Sequence, residues 1–74
     1  MNNSRNEAFI TAFGNRLKQV RKEKKVSQED LAFIAQIPLS QVGRIERGEV
    51  NTTISTVFIL ASALDIHPKE LFEF

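Results

Sequence analysis

Apolar residues recur every three or four positions along this chain, in short runs separated by helix-breaking segments, and this pattern constrains the fold most. The first run consists of Phe9, Phe13, Leu17 and Val20. Residues at that spacing lie on one side of an α-helix, because the helix completes a turn about every 3.6 residues. We therefore predict an amphipathic helix over residues 6–24 that buries this side.

A second, shorter helix is predicted to begin after Ser27. The Ser27 hydroxyl can accept a hydrogen bond from the amide of Asp30, and acidic side chains in a first turn complement the positive end of a helix. The expected buried face of this helix is Leu31, Ala32 and Ala35. The small side chain of Ala32 suits a close crossing with a neighbouring helix.

A proline marks the break before the third helix. The segment Gln36–Pro38 interrupts the pattern, because proline disfavours helical backbone in the residue before it. A third helix is predicted over about residues 39–47, with Val42 and Ile45 facing inward. Gly48 follows where helices commonly end in a left-handed residue.

Two further helices complete the pattern. Thr53 is the expected N-cap of a fourth helix, and Pro68 the expected first residue of a short fifth helix that reaches Phe72. The expected inward face of the fourth helix is Ile54, Val57, Leu60, Ala61 and Leu64. Five helices with short connections and no strands predict an all-α fold, a compact five-helix bundle.

Length and composition restrict the class of protein. A chain of 74 residues is expected to form one domain over residues 1–74, of which residues 1–5 are polar and expected to be disordered. The absence of cysteine excludes disulfides and thiolate metal sites. No apolar run approaches the roughly 18 residues of a membrane helix, and no secretory signal is evident. We expect a soluble cytoplasmic protein without a metal, a cofactor or a small-molecule ligand.

Positive charge is concentrated in one stretch of the chain. The formal net charge is only +1, yet Lys and Arg crowd residues 16–25, where Glu23 alone opposes them. A basic surface of this kind suits a polyanion such as nucleic acid. A solvated, lysine-rich helix end explains the cluster equally well, so the charge pattern alone leaves both interpretations open.

The sequence disfavours catalysis. An enzyme needs a nucleophile paired with a base, a metal cluster or another built site. The one histidine, His67, directly precedes Pro68, where capping of a helix is its expected role. The residue pattern therefore predicts a binding protein and not an enzyme.

Two segments at a fixed spacing identify a family resemblance. Gln28–Ala32 and Ile45–Gly48, together with the apolar positions around them, resemble the Cro and cI repressor-type helix-turn-helix family over roughly residues 13–72. The resemblance implies a lambda-repressor-like fold with its helix-turn-helix unit at about residues 28–47. It also implies a transcriptional regulator that binds double-stranded DNA as a homodimer on a pseudo-palindromic operator, in association with the nucleoid. The segment Asn51–Ile54 and the short chain resemble, more narrowly, controller proteins of restriction-modification systems.

The resemblance also implies roles for individual residues. The side chains expected to face base edges are Leu39, Ser40, Gln41 and Arg44. Those expected to bind the phosphate backbone are Gln28, Arg47, Asn51, Thr52 and Thr53. A buried ion pair is expected between Arg21 and Glu46. The alternative for the residues expected at base edges is a plain solvated helix face. For Gln28 it is a solvent-exposed glutamine at a helix start, and for Arg47 and residues 51–53 it is ordinary loop capping. For Arg21 and Glu46 it is two independent surface charges.

Two positions depart from the family pattern. Gln36 stands where a glycine is usual, and a left-handed conformation costs a residue with a side chain about 1 kcal/mol. Pro38 stands where a serine or threonine usually caps the recognition helix, so that hydrogen bond is expected to be absent. Both departures concern how the third helix is docked.

Large apolar residues off the inward stripes predict a protein interface. Phe58 and Ile59 on the fourth helix, with the C-terminal Phe72 and Phe74, are the expected homodimer surface. The apolar residues expected to be exposed also keep a second class of function open: Phe33, Ile34, Phe58, Ile59 and Phe74. In that alternative the chain is a helix-turn-helix antitoxin or adaptor that acts mainly through a protein partner.

Overall fold

The computed structural model describes residues 5–74, and within that range the chain is helical and contains no strand. Four α-helices are present: α1 (Glu7–Glu23), α2 (Gln28–Ala35), α3 (Leu39–Glu46) and α4 (Ile54–Ala63). The all-α prediction is confirmed. The expected fifth helix is instead a 3-10 helix, Pro68–Phe72, whose five residues form fewer than two turns. Of the expected disordered segment, residues 1–4 lie outside the described residues.

Polar caps fix where three of the α-helices begin. Asn6 Oδ1 accepts from the amide of Phe9 at 2.9 Å, and Ser27 Oγ accepts from the amide of Asp30 at 2.9 Å. Thr53 Oγ1 accepts from the amide of Thr56 at 3.1 Å. A cap of this kind stabilises a helix by about 1 kcal/mol. The caps predicted at Ser27 and Thr53 are therefore confirmed.

The core draws on every helical element of the described chain. Its most completely buried side chains are Leu17, Leu31, Val42, Ile45, Leu60 and Leu71. The inward face predicted for α4 is wrong at one position, because Ile54 is 89% exposed. Ile54 shares the stripe of Val57 but lies in the first turn of α4, which no described element covers.

A close approach of two helices sets the position of α3. Gly14 of α1 lies against the carbonyl groups of Ile45 and Glu46 at the end of α3, and an added Cβ would come within 2.8 Å of the Glu46 oxygen. Contacts this short leave no room for a side chain at Gly14. The backbone of α1 therefore supports α3 directly.

Aromatic and polar contacts hold the C-terminal 3-10 helix on α1. The ring of Phe72 lies 5.9 Å from that of Phe9 and 5.2 Å from that of Phe13, measured between centroids. Arg16 Nε donates to the carbonyl of Glu70 at 2.8 Å. His67 caps the 3-10 helix, since its Nδ1 accepts from the amide of the second residue of that helix at 3.0 Å. Among residues 5–74, no helix is both long enough and apolar enough to cross a membrane.

Candidate nucleic-acid interface

A left-handed residue turns the chain between α2 and α3. Gln36 has φ 58° and ψ 45°, and its amide donates to the carbonyl of Phe33 at 3.3 Å. The amide of Ile37 donates to the carbonyl of Ala32 at 3.1 Å, which closes the end of α2. Pro38 then has extended backbone and makes no side-chain cap bond to α3. The turn forms with both departures from the family pattern in place.

The two sides of α3 differ sharply in exposure. Val42 and Ile45 are buried against the core, as predicted. The residues expected to face base edges lie on the other side: Leu39, Ser40 and Arg44 are exposed and Gln41 is half-buried. A short helix anchored along one side and open along the other has the shape that fits a major groove.

A buried charge pair ties α1 to α3. Arg21 Nε donates to Glu46 Oε2 at 2.6 Å, and Arg21 Nη2 donates to Glu46 Oε1 at 3.1 Å. Arg21 Nη1 donates to the carbonyl of Val26 at 2.9 Å, beyond the end of α1. The hydrogen bond to Glu46 raises the pKa of Arg21 above its ordinary value, so the guanidinium stays charged. The pair expected from the sequence is formed.

Gln28 at the start of α2 joins this network. Its Nε2 donates to Glu46 Oε1 at 2.9 Å, and the residue is half-buried. An amide nitrogen carries two hydrogens, so one donor of Gln28 is not needed for the bond to Glu46. The bond holds the amide at the N-terminus of α2, where free backbone N–H groups favour an anion.

The loop between α3 and α4 holds the other residues expected at the phosphate backbone. Thr53 Oγ1 donates to Thr56 Oγ1 at 3.0 Å, and Thr52 Oγ1 donates to the carbonyl of Val50 at 3.5 Å. Both hydroxyls thus take the loop-capping role that the sequence left open, while Asn51 is exposed.

Arg47 has a partner that the sequence did not predict. Its Nε donates to Glu49 Oε2 at 2.7 Å, and both side chains are at least half exposed. The signal in the sequence is slight, an acidic residue two positions after an arginine at a helix end.

The basic stretch at the end of α1 divides into two kinds of residue. Arg21 is buried in the ion pair, and Arg16 donates to Glu70 and, at 3.3 Å, to Glu73. The exposed cations of this stretch are Lys18, Lys22, Lys24 and Lys25. Within residues 16–25, the lysines are therefore the exposed cations, while the arginines are engaged inside the domain.

A second surface is apolar. Phe58 is 62% exposed on α4, and the next residue, Ile59, is exposed as well. Near the C-terminus, Phe72 and Phe74 are also exposed. A groove along this surface is lined by Ile54, Val57, Phe58, Pro68 and Phe72. Phe72 and Phe74 also contact Phe9 within the chain, a packing role not expected from the sequence. On α2, Phe33 is 84% exposed and Ile34 is exposed as well.

Within residues 5–74, no group of side chains is arranged to hold a metal ion.

Comparison with known proteins finds the same architecture. Residues 17–71 match the family HTH_3, Helix-turn-helix. Control protein C.BamHI of Bacillus amyloliquefaciens is 35% identical over 63 residues, which cover 84% of this chain and 78% of that protein.

Two solved structures are similar in fold. The restriction-modification controller protein C.AhdI from Aeromonas hydrophila has a TM-score of 0.86 and 46% identity, over 88% of this chain and 98% of its own. The controller protein C.Esp1396I, solved as a tetramer in complex with its natural 35-base-pair operator, has a TM-score of 0.81 and 28% identity, over 88% of this chain and 86% of its own.

Proposed function

The chain belongs to the helix-turn-helix family, and from that membership we propose that it is a transcriptional regulator that binds specific sequences in double-stranded DNA through one domain. The observation that carries the proposal is the docking of α3. Its inner side is buried and tied to α1 by the pair of Arg21 and Glu46, while Leu39, Ser40 and Arg44 are exposed on its outer side. Rigid support of an exposed helix favours one orientation in a groove.

In this proposal α3 lies in the major groove and reads base edges. Arg44 can donate two parallel bonds to guanine O6 and N7, and Leu39 can pack on a thymine methyl. Ser40 and the half-buried Gln41 are the remaining candidates for base contacts. The contacts to bases supply the sequence preference.

Contacts to phosphates position the protein on the duplex. Gln28, oriented by Glu46, can donate its second amide hydrogen to a phosphate beside the N-terminus of α2. Arg47 and Asn51, with the neighbouring threonine backbone, are proposed to bind a second phosphate. The exposed lysines at the end of α1 add attraction that does not depend on sequence.

The active form is proposed to be a homodimer on a pseudo-palindromic operator. One short helix reads only a few base pairs, and a second copy doubles the site. The exposed Phe58 and Ile59 offer an apolar contact for that copy, next to Phe72 and Phe74. C.Esp1396I, a relative, was solved as a tetramer on its operator, and C.AhdI and C.BamHI are controller or control proteins. We propose that this chain likewise controls a restriction-modification system.

The proposed activity is DNA binding, without catalysis or a cofactor. The proposed localisation is the cytoplasm, in association with the nucleoid. His67, the residue best suited to acid–base chemistry, serves as a helix cap.

Selection of bound duplexes from a random pool tests the function. We expect enrichment of a two-fold symmetric site whose half-sites are spaced by a multiple of roughly 10 base pairs. A pool that shows no enrichment would refute sequence-specific binding.

A second candidate function rests on Phe33, whose side chain is 84% exposed on α2 next to the exposed Ile34. Large adjacent apolar residues at a surface commonly mark a protein interface. In this candidate the chain is an antitoxin or adaptor that binds a partner protein through α2. Loss of a co-purifying protein in a Phe33→Ser variant, with operator binding unchanged, would support it.

A further inference from the structure

The side chain of Arg47 folds back along α3. An added Cβ at Gly43 would lie 2.9 Å from Arg47 Nη1, so the guanidinium passes over this glycine. Ser40, Arg44 and Arg47 follow one another at four- and three-residue spacing, which places them on one side of the helix. The guanidinium therefore lies beside the surface proposed to meet DNA.

In the free protein, a carboxylate forms an ion pair with that guanidinium. Glu49 Oε2 lies 2.7 Å from Arg47 Nε, and the hydrogen bond lowers the pKa of Glu49 below its ordinary value. The charges of Arg47 and then Arg44 lower the pKa further, whereas burial opposes the shift. Glu49 is thus an ionised group that is hydrogen-bonded to Arg47 and also senses the charge of Arg44.

A carboxylate and a phosphate use the same guanidinium donors. Both are anions that accept hydrogen bonds from the arginine fork, so Arg47 cannot give its Nε bond to both at once. The pair is exposed, and exposed pairs are weak enough to be exchanged. A phosphate that binds the Nε side of the Arg47 guanidinium must therefore displace Glu49 first, and one that binds the other N–H groups must lie beside a like-charged carboxylate.

We propose that Glu49 is an intramolecular stand-in for a DNA phosphate, which restrains binding to every duplex by occupying Arg47 until DNA displaces it. The inference rests on the proposed function, since it assumes that Arg47 binds a phosphate. It assigns Glu49 a role in setting affinity and salt dependence. Because the phosphate contact carries no sequence information, the effect is equal on operator and on random DNA.

The test is a Glu49→Gln variant, which keeps the size of the side chain and removes its charge. Binding to the selected operator and to a mixed-sequence duplex is measured by fluorescence anisotropy between about 50 and 200 mM salt. Each affinity should rise about two- to fivefold per subunit at low salt, the range expected for an exposed ion pair. The slope of log affinity against log salt should steepen by about one per subunit.

Two controls separate this mechanism from general electrostatics. Glu7→Gln changes the net charge equally and breaks a pair of the same spacing, in which Arg5 Nε lies 2.8 Å from Glu7 Oε2. In an Arg47→Ala protein, Glu49→Gln should have no more effect than Glu7→Gln has. A gain that persists undiminished without Arg47 would mean direct repulsion of phosphates, and would overturn the inference.

The two failures are distinguishable. If the wild type binds both duplexes and the Glu49→Gln variant binds them with no higher affinity, only the proposed role of Glu49 is overturned. Wild-type protein that binds neither duplex at low salt would overturn the proposed function, and this inference with it.

Discussion

The guanidinium of Arg21 in α1 donates to both carboxylate oxygens of Glu46 in α3, where the two side chains are only 9% and 3% exposed. Glu46 accepts from Gln28 of α2 as well, so one carboxylate connects three helices. Two charges withdrawn from water are stable only when each is fully bonded, and this network provides the bonds. The helix that carries the proposed base contacts is thereby fixed to the rest of the domain.

Removing the carboxylate should nearly unfold the protein. In Glu46→Ala the charged Arg21 stays buried without its partner, which costs about 3–5 kcal/mol. Urea unfolding followed by circular dichroism gives the free energy of unfolding. The matched control is Glu49→Ala, which breaks an exposed pair and should cost far less than Glu46→Ala does. Equal, small losses in the two variants would contradict a structural role for the buried pair.

Two helical glycines should respond to alanine in opposite directions. At Gly14 a Cβ would collide with the backbone carbonyls of Ile45 and Glu46, so Gly14→Ala should destabilise by about 1–3 kcal/mol. At Gly43 a Cβ would meet only the mobile end of Arg47, and alanine should add up to about 1 kcal/mol through helix propensity. Thermal melting of both variants decides the matter. A stabilised Gly14→Ala protein would show that α1 and α3 are not in close contact.

Local signals predicted most of the helical framework. The cap at Ser27 and the break at Pro38 each act within a few residues, so their physics is visible in the sequence. The left-handed turn at Gln36 was expected only from the family resemblance. The pair of Arg21 and Glu46 is separated by 25 positions, and only the family resemblance pointed to it.

The features that the sequence did not predict depend on what surrounds a residue in three dimensions. Ile54 has the right spacing for an inward face, but nothing described lies over it. A glycine inside a helix ordinarily indicates only a modest loss of helix propensity, whereas Gly14 allows the close contact of α1 with α3. For Arg47, a side-chain rotamer determines that it meets Glu49, and no periodic pattern encodes that choice.

Replacing Phe58 by aspartate should disrupt the proposed dimer and leave the fold intact. The side chain is 62% exposed, so the core does not need it, but a charge at an apolar interface is unfavourable in both copies. At about 0.1 mM protein, a dimer with a dissociation constant in the micromolar range stays associated, so the wild type should sediment as a dimer. The Phe58→Asp variant should sediment as a monomer at the same concentration. Phe33→Asp, on the exposed side of α2, is the matched control and should remain dimeric. Dissociation caused by Phe33→Asp instead would move the interface to α2.

Arg44 should be the main residue that reads a base. It is exposed on α3, one turn after Ser40, where a guanidinium can reach a guanine edge. Arg44→Ala should weaken operator binding by about 1–3 kcal/mol and relax the preference at one position in each half-site. Binding measured against a set of single-base operator variants identifies that position.

The competing role for Arg44 is a phosphate contact, which would position the protein without reading sequence. Gln28 and Arg47 are already proposed to fill that role, and this favours the assignment of Arg44 to a base. The salt dependence separates the roles, because a lost phosphate contact reduces the salt slope by about one per subunit and weakens operator and random DNA alike. Lys22→Ala, at an exposed lysine of α1, should show that uniform loss. If Arg44→Ala shows it too, with the preference at every operator position retained, then Arg44 does not read a base.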